Sequence, residues 1–459
     1  MNRPTRDDLA ALAAVESVLN QRWPESVIDP TLDRIHDLMD ALGSPQRSYP
    51  SVHVAGTNGK TSVSRMIDAL LTRLQLRTGR TTSPHLQVVT ERISIDNAPI
   101  SAQRYVETYA DIAPFVAMAD ERSAQRGGPA LSKFEVLTAM SFAAFAEAPV
   151  DVAVVEVGLG GTWDSTNVVD GQVAVITPIA VDHTEFLGTD LAGIAAEKAG
   201  IIKAGSVAVL AQQAPEVGEV LLRRAVEVDA AVAREGAEFT VLDRAVAVGG
   251  QLLTLQGLGG IYTEVFVPLH GAHQGRNAVL ALAAVEAFFG AGPQRALDPD
   301  AVREAFASVS SPGRLERVRT APTVFLDAAH NPHGAAALAA ALSAEFDFRK
   351  LVGVVAVMGD KDAAGLLAEL EPVFDEVVIT RCDSPRAMGV EELANYAVAR
   401  FGDERVVVVE DLAGALETAI ALAEEAGAEG AQLSGSGVVV TGSVVTAGQA
   451  RTLLGKDPE

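Results

Sequence analysis

Short valine- and isoleucine-rich runs, separated by stretches of helical periodicity, recur along this chain from residue 51 almost to its end. In the first two thirds the clearest are 51–56 (SVHVAG), 151–158 (DVAVVEVG), 172–179 (QVAVITPI) and 206–210 (SVAVL), with helical patterns such as 64–76 and 133–147 between them. β-Branched runs alternating with helices predict parallel βαβ units, because a parallel crossover needs a connection long enough to hold a helix. Residues 238–268 break the rhythm with short strand patterns and glycine turns, which predicts a small antiparallel appendage. A long helix is expected over 271–290. At 308–316 (SVSSPGRLE) serine, proline and glycine cluster as in a linker. The alternation then restarts at 323–328, 351–359, 375–380, 405–410 and 437–443. The expectation is an α/β chain of two domains. Residues 1–308 would form a P-loop-type, doubly wound, mostly parallel sheet with the antiparallel appendage, and 309–459 a smaller Rossmann-like α/β domain.

The first strand pattern runs directly into Gly56-Thr57-Asn58-Gly59-Lys60-Thr61-Ser62 and from there into a helix. Val54 stands where the eight-residue phosphate loop would have its first glycine, so the spacing is not the standard one. The physics survives the change. Gly56 and Gly59 let the backbone curl so that its N–H groups face an anion at a helix N-terminus, Lys60 reaches the outer phosphates, and Thr61 or Ser62 offers a hydroxyl to phosphate or Mg²⁺.

Other candidates stand at strand ends, where ligands of open α/β sheets bind. Glu156 closes an apolar strand before a glycine-rich loop and is a candidate magnesium ligand. His183, in Asp182-His183-Thr184-Glu185, reads equally as a metal ligand or a structural histidine. Lys198 sits on an otherwise apolar turn; it is either a snorkelling surface lysine or a partly buried, partly deprotonated amine. Ser83, in Ser83-Pro84-His85-Leu86 before Glu91-Arg92, is a hydroxyl ligand or a turn residue. Asn277, Arg314, Asp327 and His330 join this set because they face the same expected cleft, Arg314 from the linker and Asp327 and His330 from the first strand end of the second domain.

A formal charge of −24, from 36 Lys+Arg against 60 Asp+Glu, offers no basic tract for nucleic acid. No apolar run reaches the ~18 residues of a membrane span, and the N-terminus lacks a secretory pattern. The single cysteine, Cys382, leaves no internal disulfide and no cysteine metal site. These features predict a cytoplasmic protein with small-molecule partners, no nucleic acid or membrane partner, and a monomeric state.

Taken together, the ordered motifs resemble the Mur ligase superfamily and, within it, the folylpolyglutamate synthase/dihydrofolate synthase family. They run from Ile28-Asp29-Pro30-Thr31-Leu32-Asp33-Arg34-Ile35 through GTNGKTS, SPHL, ERI, EVGLGGTWDSTN, DHTEFLG, EKAGIIK, PGRLE and DAAHNP to the C-terminal TGS. The chain departs from many relatives at Thr61 and at Thr162-Trp163. Only 55 residues precede Gly56, too few for the UDP-sugar-binding domain of the cell-wall Mur ligases.

The resemblance implies an ATP-dependent ligase that joins L-glutamate to a pterin-linked carboxylate, dihydropteroate or a folylpolyglutamate, through an acyl phosphate, releasing ADP and phosphate. By it, Asn58, Gly59, Lys60, Thr61 and Ser62 would hold ATP phosphates, and Asn277, Arg314 and Asp327 would contact nucleotide. Ser83 and Glu156 would bind one Mg²⁺ and His183 a second. Lys198 would be carbamoylated. Asp29, Pro30 and Thr31, with Lys133, Phe134, Glu135, Val136, Trp163, Asp164 and Ser165, would line the pterin pocket, and His330 and Ser443 would meet glutamate or the acyl phosphate. Two rival readings remain: a Mur-like amide ligase acting on another small carboxylate, and a nucleotide-gated binding protein without ligase chemistry.

Overall fold

The structure is a computed structural model; it describes residues 4–24, 29–290, 292, 295–425 and 435–459. Ile28, the first residue of the motif string above, lies outside them.

Eight strands form the first sheet: β1 (Ser51–Ala55), β2 (Thr78–Thr81), β3 (Ile93–Ile95), β4 (Ala98–Pro99), β5 (Val152–Glu156), β6 (Gly171–Ile176), β7 (Val207–Leu210) and β8 (Ala231–Arg234). Their order is β4-β3-β2-β5-β1-β6-β7-β8. From β2 to β8 every pair is parallel, while β3 and β4 fold back antiparallel on one edge. Strands β1 and β5 are buried along their whole length, which is why they read as unbroken apolar runs instead of alternating ones. Helices Lys60–Arg73 and Ala272–Phe288 cover one face, and Ala102–Gln125 and Lys133–Glu147 the other.

The expected appendage is a three-stranded antiparallel sheet of β9 (Thr240–Ala247), β10 (Gly250–Gln256) and β11 (Ile261–Val267). The last sheet comprises β12 (Glu316–Thr320), β13 (Thr323–Leu326), β14 (Lys350–Val355), β15 (Glu376–Ile379), β16 (Val406–Val408) and β17 (Ser436–Thr441), ordered β12-β13-β17-β14-β15-β16. Only β12 runs antiparallel. The fold class is the one the alternation predicts.

Sequence patterning did not reveal β2, β3, β4, β8 or β12. All are short, and β2 (TGRT) and β12 (ERVRT) carry too little apolar character to stand out. The helix expected from 64 begins at Lys60, because Gly59, at φ +93°, turns the chain sharply enough to start it four residues earlier.

Among the described residues no helix is long and apolar enough to cross a membrane.

Candidate active site

Three adjacent strands of the first sheet, β5, β1 and β6, end at Glu156, at the Gly56–Thr61 loop and at the segment leading to Asp182 and His183. Three adjacent strands of the second sheet, β13, β17 and β14, end at Asp327–Asn331, at Ser443 and at Met358–Lys361. The two edges face each other across a cleft of about 770 Å³.

The phosphate loop owes its shape to its glycines. Gly56 has φ +141°, and a Cβ there would lie 1.9 Å from Thr177 Oγ1. The loop is pinned from the side: Thr57 N donates to Pro178 O at 3.0 Å, Thr57 Oγ1 donates to Ala180 O, and Ala180 N donates back to Thr57 Oγ1. Lys60 Nζ folds over the loop onto the carbonyls of Gly56 and Thr57, each at 3.2 Å. Burial lowers the Lys60 amine from its ordinary value against the pull of Glu156 and Asp182. Asn277 approaches Gly59 closely, its Oδ1 2.8 Å from where a Cβ would stand, and Ser62 Oγ lies 3.0 Å from Ser311 Oγ.

Glu156 is buried; Oε1 accepts from Thr61 Oγ1 at 2.8 Å, and Oε2 has no hydrogen-bond partner. Burial raises its carboxyl, opposed by Lys60 and Thr61. An unpartnered carboxylate oxygen beside a phosphate loop and hydroxyl donors fits a hard cation that takes its remaining ligands from phosphate and water. Among the described residues no three His, Cys, Asp or Glu side chains cluster as a self-sufficient metal cage. Ser83 and His183 face the same cleft. Burial, reinforced by Lys361, holds the His183 imidazole down to about 3, neutral and able to ligate. The Ser83 loop is shaped by Glu91, whose carboxylate accepts the N–H groups of Leu86, Gln87 and Val88.

Lys198 is 4% exposed and sits behind the cleft wall, not in it. Close packing seals it in: a Cβ on Gly161 would come 2.9 Å from Lys198 Cα, and one on Gly200 2.2 Å from Thr162 Oγ1. Burial, then the charge of Lys60, holds its amine down to about 7. Of the two readings open in the sequence, the buried one holds.

On the facing edge, Asp327 accepts the N–H groups of Leu315 and Ala329, each at 2.8 Å. Arg314 and His330 lower its carboxyl, though burial outweighs them. His330 lines the cleft and donates from Nδ1 to Ala328 O, with Nε2 3.3 Å from Asp182 Oδ2. Ser443 Oγ caps the helix Val444–Leu453 by accepting from Thr446 N. Arg314 also faces the cleft.

The expected pterin pocket is divided. Asp29, Thr31, Phe134, Glu135, Trp163, Asp164 and Ser165 face the cleft; Pro30, Lys133 and Val136 do not. Pro30 is the exposed tip of a tight turn closed by Thr31 N on Asp29 O. Lys133 points the other way and pairs with Glu16 at 2.9 Å and Asn20 at 2.7 Å. Val136 is wholly buried in the core. Four successive residues at about 100° per step go most of the way round a helix and cannot all face one cavity. Asp164 acts within its loop, accepting from Leu159 N and Thr166 N.

Patterning gave no role to Arg34, Trp23, Asp182, Asn331, His333 or Lys361. Arg34 donates to Asp29 and Glu135 and stacks 5.0 Å from the Trp23 ring centroid, forming the far cleft wall. Its only signal was its place in the Asp29–Ile35 motif. Asn331 and His333 reach across the cleft to Asn58.

Family models for the Mur ligase middle domain match residues 130–285, and for the Mur ligase glutamate ligase domain residues 313–444. The chain is 63% identical over 469 residues to the dihydrofolate synthase/folylpolyglutamate synthase of Mycobacterium tuberculosis, covering 99% of this chain and 96% of the relative. It is 33% identical to the folylpolyglutamate synthase of Lacticaseibacillus casei over 92% of this chain and 94% of the relative. Among solved structures, M. tuberculosis folylpolyglutamate synthase complexed with ADP superposes with a TM-score of 0.94 at 62% identity, over 98% of this chain and all of that one. An Escherichia coli relative in complex with DHPP and ADP superposes with a TM-score of 0.81 at 30% identity, over 96% and 97%.

Proposed function

Because the chain belongs to the dihydrofolate synthase/folylpolyglutamate synthase family of Mur ligases, we propose a residue-level reading of its chemistry. It is an ATP-dependent ligase that joins L-glutamate to folate-type acids. The observation that carries the residue-level reading is the facing of the two strand-end triplets across one cleft, a phosphate loop on one side and His330, Lys361 and Ser443 on the other.

The pterin acid's carboxylate oxygen attacks the γ-phosphorus of ATP, the bond to the ADP oxygen breaks, and an acyl phosphate forms. Lys60 and Arg314 offset the charge that develops on the transferred group. The amine nitrogen of glutamate then attacks the acyl carbon, the carbon–oxygen bond to phosphate breaks, and the amine loses a proton. The loop amides from Gly59 to Ser62 hold the phosphates, and Asn277 and Asp327 contact nucleotide. Asp29, Thr31, Phe134, Trp163 and Ser165 line the pterin end, and His330 and Ser443 face the incoming amino acid. Glu156 and Ser83, with His183 at a second position, are the residues that would hold magnesium, whose chemistry there is to neutralise phosphate charge. Lys198, buried with an amine near neutrality, suits carbamoylation: its nitrogen bonds to carbon dioxide and releases a proton.

We also propose the division at 308/309, which the end of the helix Pro299–Ala307 and the start of a separate sheet at Glu316 support, together with a cytoplasmic location and a monomeric state. The test of the chemistry is product identity. ADP and phosphate should appear only when glutamate and either dihydropteroate or a tetrahydrofolate are both present, and AMP with pyrophosphate would overturn the scheme.

A further inference from the structure

Lys361 is a cation of the cleft, as Lys60 and Arg314 are, yet the reaction steps above give it no work. It leaves the second sheet at the end of β14, in a loop held by Gly359 N on Arg386 O and Lys361 N on Met358 O. Its side chain is 8% exposed, and its Nζ lies 2.5 Å from Asp182 Oδ1, on the first sheet's edge. Asp182 receives more than this. Asn331 Nδ2 donates to Oδ2 at 2.8 Å, and His330 Nε2 lies 3.3 Å from the same oxygen. His183 N, from its own chain segment, donates to Oδ1 at 2.7 Å. Three side chains of the second domain thus converge on one carboxylate of the first.

We propose that Asp182 is a positioning residue that docks the second domain onto the first through Lys361, and that this docking keeps water from the activated acid. The inference rests on the acyl-phosphate reading above. A buried carboxylate left without its cation is costly, so the contact opposes any opening that would separate the two. An opening admits water, which takes glutamate's place at the acyl carbon, breaks the same carbon–oxygen bond and returns the free acid with phosphate.

The test compares ADP release with amide formation in the full-length enzyme for Asp182→Asn, Lys361→Met, Lys361→Arg and the Asp182→Asn/Lys361→Met double variant, each checked for fold by thermal melting and ADP binding. Wild type should release a single ADP per amide. Asp182→Asn and Lys361→Met should each raise that ratio and the glutamate KM about tenfold, the size expected for losing a charged hydrogen-bond partner. The double variant should be no worse than the poorer single one, because the two residues act through each other, and Lys361→Arg should recover most of the ratio. If Asp182→Asn fails to fold, Lys361→Met and Lys361→Arg still decide the outcome. A wild-type ratio in the folded variants, or additive effects in the double, would overturn the docking role. Wild-type enzyme that releases no ADP in response to glutamate would overturn the acyl-phosphate reading instead.

Discussion

The two strand edges that meet at the cleft are built in opposite ways. The first is finished by its own domain. Glycine geometry shapes its loop, carbonyls of the same loop hold Lys60, and Thr61 meets Glu156 across neighbouring strands. The second is held only partly by its own domain, at Asp327, His330 and Ser443; Asn331, His333 and Lys361 find partners on the opposite side. An edge assembled from backbone is stiff before any ligand arrives, whereas one assembled from side chains across a gap exists only while the gap is closed. This difference suits a reaction in which nucleotide must wait for a second substrate and water must then be shut out.

The contrast can be broken most forcefully at Gly56. Gly56→Ala puts a methyl group into Thr177 at a φ that L-residues avoid; ADP binding by calorimetry should vanish while the second domain stays folded by hydrogen exchange. Gly59→Ala also takes a positive φ, but its methyl meets the flexible end of Asn277, so its loss should be milder; wild-type-like ADP binding in both variants would refute a backbone-built edge. Next comes Lys60→Ala, expected to cost about 10²–10³-fold in turnover, as for other single donors aimed at developing charge.

Lys198→Met should cost about 10–100-fold in activity, the effect expected of a supporting group behind the magnesium position proposed above, and it carries a pH signature. In carbon dioxide-depleted buffer, where the amine is free, burial holds it down to about 7 against an ordinary 10.5. Between those values the unfolded chain binds more protons, so stability rises with pH across that window. The variant's denaturation curves should lose that slope, and wild-type activity should fall in carbon dioxide-depleted buffer and return with bicarbonate. The smallest effect is expected at Lys133→Ala. Its amine serves Glu16 and Asn20, so the folate KM should move less than about threefold, whereas Arg34→Ala, which strips the Asp29 and Glu135 carboxylates of their shared partner, should move it more.

What the sequence disclosed follows the same division. That the Gly56–Thr61 loop, Glu156 and His183 stand at strand ends facing one cleft was legible because each is a short local pattern at a strand end. The Asp182 cluster was not, because its partners lie 149 and 179 residues away in the chain, and nothing local at Lys361 announces a partner. The pterin wall failed in a third way. A contiguous motif was taken as a contiguous surface, and the helix at Lys133–Glu147 turned half of it elsewhere. Strands rich in valine revealed themselves, while β2 and β12, short and polar, did not.

The pinning of Thr57 to Pro178 and Ala180 has a thermodynamic consequence. Ordering a loop costs conformational entropy, of order 1–2 kcal/mol for each backbone residue fixed. Here that loss is incurred when the chain folds, through hydrogen bonds to the segment after β6. A nucleotide entering the cleft surrenders its own translational and rotational freedom but asks little further ordering of the loop, so more of its contact energy appears as affinity.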